Sequence, residues 1–213
     1  MTSWPRDLAA VVLSFACFSP SPLSGQVRRQ VTTSPARLVA AFVRDNEGQG
    51  RTQSLESIEL PAILLSRADY PASSMSALLD SLEAVALSRR PTRVRAIATM
   101  ALASPGSRDA LQPRAGTVAR LERIYQRTDS PEVRAAVVSG LTRSTEHQQA
   151  LGFLETAAIK QPPDFPGEPV AALAAIAGHG ERGREVLGRL AQNGRVHDPE
   201  AQQWLSLFLS QGH

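Results

Sequence analysis

Val94-Arg95-Ala96-Ile97-Ala98-Thr99-Met100-Ala101-Leu102 and Val133-Arg134-Ala135-Ala136-Val137-Val138-Ser139-Gly140-Leu141 are two copies of one phrase, 39 residues apart. Each copy follows a proline, Pro91 or Pro131, and each leads into a second segment of helical periodicity. A helix pair cannot bury its apolar face alone, so a period of this length marks helix pairs that stack on one another as an α-solenoid.

Working outward from the repeat, the same periodicity covers most of the chain. Met75, Leu78, Leu79, Leu82, Val85 and Ala86 follow the i, i+3, i+4, i+7 stripe. Val118, Leu121, Ile124 and Tyr125 form the next stripe, and Ala150, Leu151, Phe153, Leu154 and Ala157 another. Helix starts are marked by Ser34-Pro35, Ser130-Pro131-Glu132 and Asp198-Pro199-Glu200: a capping oxygen and a preset φ, with an acid at the positive helix end in the last two. Thr145 with Gln148 makes a capping-box pair. Gly178-His179-Gly180 and Asn193-Gly194 are stops, and Gln161 to Gly167 is a stiff proline-rich loop. Pro61 interrupts the stretch from Leu55 to Leu65, so only a short helix from Leu60 to Arg67 is expected there. Gly140, Gly152 and Gly188 cost a helix up to about 1 kcal/mol each relative to alanine and suit places where two helices approach closely.

Composition agrees with helices. Of 213 residues, 42% are hydrophobic and only 5% aromatic, with alanine and leucine dominant, which favours close-packed helices over a β-sandwich. The net charge of +3 is modest and no run of like charges occurs, so nucleic acid is not an expected partner.

Leu8 to Phe18 is an apolar run too short to span a bilayer, followed by small and helix-breaking residues from Ser19 to Gly25. The expectation is a cleaved signal peptide over residues 1–25 and a mature chain starting at Gln26 in a bacterial periplasm or outside the cell. An N-terminal helical segment with loops then covers 26–72, and the repeat array covers 73–213. Cys17, the only cysteine, would leave with the leader, and no membrane span is expected in the mature chain.

The unit from Asp129 through Leu141 resembles the first helix of a HEAT repeat, closest to the short bacterial kind also found in phycobilin lyases. The copy at 91–102 keeps Val94-Arg95 without the aspartate, and later copies have Ala171 and Gln202 where arginine would stand. The resemblance implies an all-α, right-handed α-solenoid of about four HEAT-like helix pairs after the short helical N-terminal segment. It also implies that Asp129 and Arg134 bond between neighbouring repeats.

Nothing in the sequence spells out catalysis. His147, His179, His197 and His213 stand apart, and no HExxH, CxxC or Gly-x-Ser-x-Gly occurs, so no catalytic, metal or cofactor residues are named. His179 is expected as an exposed turn residue. The functional expectation is a monomeric, non-catalytic protein-binding scaffold using the face lined by the second helix of each pair. Arg120, Arg123, Glu155, Arg184 and Arg189 are its expected exposed contacts, with Phe165 as an exposed loop anchor. Trp204 is expected to pack inward with Ala201, Leu205 and Phe208. The alternatives are a HEAT-like enzyme of lyase or DNA-glycosylase type and an arginine-based nucleic-acid binder.

Overall fold

The computed structural model describes residues 34, 37, 39–41, 43–44, 72–103, 116–142, 144, 146–160 and 162–210. The leader, the loops and short helix expected between 46 and 71, Thr145 and His213 lie outside them. The protein is all-helical: among the described residues there is no strand. Its helices are α1 (Ala72–Ala86), α2 (Thr92–Ala103), α3 (Thr117–Arg127), α4 (Pro131–Leu141), α5 (His147–Ile159), α6 (Glu168–Ala177), α7 (Glu181–Asn193) and α8 (Pro199–Ser210). Arg37, Val39 to Ala41, Val43 and Arg44 are also helical, and the Ser34 hydroxyl accepts from the Arg37 amide at 3.4 Å, as a capping serine does.

Two compact units divide these helices, α1–α4 within Val27–Glu146 and α5–α8 within His147–His213. In the first, α2 packs on α1 and α4, and α3 lies against both α4 and α1. Leu78, Leu82, Leu102, Leu121, Ile124 and Leu141 are its largest fully buried side chains. In the second, α6 packs on α5, α7 and α8, while α7 also meets α5 and α8. Leu154, Leu173, Ile176, Leu187 and Leu190 fill that core. Each unit therefore repeats one local rule: every helix touches its successor or the helix after next, which buries stripes that no single pair could cover.

Local chemistry explains the helix ends. Ser130 accepts from the Val133 amide at 3.4 Å ahead of Pro131, and its hydroxyl donates to Glu132 at 2.8 Å. Asp198 accepts from the Ala201 amide at 2.8 Å, the same start with a carboxylate. Gly194, at φ 59°, closes α7 in the left-handed conformation that glycine adopts without penalty. Of the interior glycines, Gly140 does stand at a close approach, facing the Ala103 methyl across α2 and α4. Gly152 and Gly188 correct the expectation, because a Cβ at either would meet nothing within 4 Å. The tight contact is at Gly183 instead, where a side chain would strike the Ile176 carbonyl at the end of α6.

Candidate functional site

The arginines named from the sequence are organised by carboxylates on a neighbouring helix. Glu83 on α1 accepts from Arg120 at 2.7 Å and from both Nε and Nη2 of Arg123, at 2.8 and 3.0 Å, on α3. Asp80 adds a second contact to Arg120 at 2.6 Å. Burial alone would push the Glu83 carboxyl up, but the hydrogen bonds and charges of Arg123 and Arg120 outweigh it and hold the group below its ordinary 4.5. The bond to Glu83 in turn raises the Arg123 guanidinium. Glu155 on α5 and Arg189 on α7 make the counterpart in the second unit, at 2.7 Å, and that bond raises the Arg189 guanidinium.

These ties correct part of the expected surface. Arg120 is not a free contact residue: its side chain is only 17% exposed and spent on Asp80 and Glu83. Arg123 and Arg189 keep about half their surface, 45% and 52%, while fixed at one end. Arg184 is exposed, as expected. Phe165 is buried at 6%, because its loop folds back through bonds from the Phe165 amide to Pro162 O and from the Glu168 amide to Phe165 O. It packs as core.

The residues expected between repeats separate into two roles. Arg95, in the first copy of the phrase, donates to Ala86 O at 3.1 Å and to Thr128 Oγ1 at 2.8 Å, and stands 3.5 Å from Asp129. It thereby ties the end of α1 to the segment that opens α4. Arg134 donates to Thr128 O at 3.4 Å and lies 5.7 Å over the Tyr125 ring. Gln202, its counterpart in α8, donates to Val196 O at 2.7 Å, so the degenerate copy keeps this local bond without the charge.

Two features escaped the sequence. His179 is buried and its Nδ1 lies 2.9 Å from Nδ1 of His147, correcting the exposed-turn expectation. The partners are 32 residues apart and only the fold brings them together. The other is a groove of about 430 Å3 lined by Val39, Ala40, Val43 and Arg44 on one side and by Ser81, Ala84 and Val85 of α1 with Arg90 on the other. Val39 and Val43 are both 5% exposed, an i, i+4 pair whose pattern was legible although its facing partner was not.

Among the described residues no group of three or more His, Cys, Asp or Glu side chains is placed to hold a metal ion, and no helix is long and apolar enough to cross a membrane. Comparison with protein-family models, curated proteins and solved structures finds no match for the chain.

Proposed function

We propose that this chain is an exported, HEAT-like right-handed α-solenoid of about four helix pairs that binds a protein partner and performs no chemistry of its own. The observation that carries this is alternate-helix packing inside each unit: α1 meets α3 and α2 meets α4, while α5 meets α7 and α6 meets α8. Side-chain rungs support the same reading, with Glu83 and Glu155 tying one odd-numbered helix to the next and Arg95 reaching the start of the following copy. A stack of this kind offers long rows of fixed side chains, which suits recognition of another protein's surface. Arg184 and Arg189 on α7 are the residues assigned to that contact, since both project into solvent and neither belongs to a core.

The test is affinity capture from periplasmic extract with residues 26–213 as bait, repeated with Arg184→Glu and Arg189→Glu. A protein retained by the parent and lost with Arg184→Glu at unchanged melting temperature, and lost also with Arg189→Glu, which additionally sets a carboxylate against Glu155, is the expected result. Retention of nucleic acid with affinity falling steeply in added salt would overturn the assignment. Export is tested by intact mass, expected to begin at or near Gln26; a cytosolic product retaining Met1 would refute it.

A further inference from the structure

His147 is the first residue of α5, and His179 sits in the turn between α6 and α7. Their rings stand nearly perpendicular, at 83°, with centroids 5.2 Å apart. That separation exceeds the 2.9 Å between the two Nδ1 atoms by about the radii of the two rings, so both nitrogens lie near the line joining the ring centres. Two Nδ1 atoms aimed at each other along one line make an N–H···N hydrogen bond, which holds a single proton.

One ring therefore carries hydrogen on Nδ1 and the other presents a bare Nδ1. A first added proton makes one ring cationic and leaves this bond in place. A second would put two N–H groups head to head and two cations in contact, and the bond must break. The helix ends favour His179 as donor. It follows the negative end of α6, its amide bonded to Ile176 O at 3.0 Å, whereas His147 stands at the positive end of α5. Among the described residues, charged groups on the elements round the pair are otherwise placed, with Arg184 and Glu185 exposed on α7. Glu146, one residue before His147, accepts from the Gly116 and Val118 amides; Glu181 and Arg182 are exposed on the first turn of α7; Glu155 is bonded to Arg189; Glu168 begins α6 at its far end.

We propose that the His147–His179 pair is an acid-opened latch that fastens the start of α5 to the α6–α7 turn and releases it when the pair takes a second extra proton. In the unfolded chain two free histidines bind two protons as pH falls below about 6.5, whereas the latched pair binds one. The latch's contribution is thus present above that pH and lost below it, the unfolding constant rising by up to about tenfold per pH unit beyond what the other groups cause.

The experiment uses the full mature chain labelled with 15N. At about pH 7.5, where free histidine is neutral, long-range 1H–15N spectra of the imidazoles should show opposite tautomers on the two rings, with His197 and His213 as internal references. Urea melts from about pH 7.5 to 5 compare wild type with His147→Asn and His179→Asn, whose amides can turn over to meet either protonation state. The wild-type unfolding constant should gain up to about tenfold on either variant for one pH unit below 6.5. The same Nε2–H tautomer on both rings, or parallel pH curves for all three proteins, would overturn the latch. So would one equivalent of Zn2+ moving both Nδ1 resonances at neutral pH, which would assign the pair to a metal. The tautomer measurement needs no variant, so it decides even where an asparagine protein does not fold.

Discussion

Replacing Gly183 with alanine tests a close approach of α7 to the end of α6. A methyl there would be driven into the carbonyl oxygen and carbon of Ile176, with His179 Cβ next to it at 3.4 Å. Backbone cannot swing aside as a long side chain can, so α7 must shift away from the end of α6, and Val186 and Leu187 on the next turn move with it. Overpacking of this kind costs about 1–3 kcal/mol, and the obstacle's rigidity places it toward the upper end. Against this, alanine returns up to about 1 kcal/mol of helix propensity, leaving a net loss of about 2 kcal/mol. Gly152→Ala in the same unit is the control. It meets open space on an exposed face of α5, so only the propensity gain remains and the protein should be stabilised by about 0.4–1 kcal/mol. Urea titrations followed by far-ultraviolet circular dichroism would place the Gly183→Ala midpoint about 1 M below wild type for a slope near 2 kcal/mol/M, and the Gly152→Ala midpoint above it. Shifts of the same sign and size in the two variants would refute the close approach of α7 to α6.

Three further outcomes follow from the packing and the ion pairs. Glu83→Gln should cost about 1 kcal/mol at neutral pH; because the Glu83 carboxyl is held below its ordinary 4.5, that advantage is present above 4.5 and disappears as pH falls through the lowered folded value, so acid melts of the two proteins should converge. Leu154→Ala, at a fully buried position, should lower stability by about 2–5 kcal/mol in the same titration, and a loss under 1 kcal/mol would mean the α5 face is misassigned. Trp204 is half-buried and lies 5.8 Å from the Phe208 ring, so its emission in a protein of residues 26–213, which lacks Trp4, should be partly quenched by iodide; complete protection or full quenching would each contradict that placement.

Helix starts and apolar faces were legible because short-range rules decide them. Ser130-Pro131-Glu132 and Asp198-Pro199-Glu200 carry their capping oxygens wherever the helix goes. The stripe of Leu78, Leu82 and Val85 is buried for any helix that has something to pack on. Phe165 departs from the exposed-anchor expectation because its burial depends on how a proline-rich loop folds back, which two backbone bonds fix. Arg120 and Arg123 lost their independence to Glu83, which precedes them by 37 and 40 residues. Local pattern sees no partner at such a distance. The histidine pair was hidden for the same reason, since each ring alone reads as a loop or helix-end residue. Trp204, expected inward, proved half-buried, because α8 turns only Ala201 and Leu205 fully into the core.

Glu146 has a consequence for the order in which this chain acquires structure during synthesis. Its carboxylate accepts from the amides of Gly116 at 2.7 Å and Val118 at 2.8 Å, closing the first turn of α3 from 30 and 28 residues downstream. Gly116 has no side chain to do this itself, and α3 has 11 residues, fewer than the roughly 12–15 below which an isolated helix is marginal in water. While the ribosome is still making α4, the amides that open α3 lack their acceptor. The capped start of α3 must therefore await residue 146.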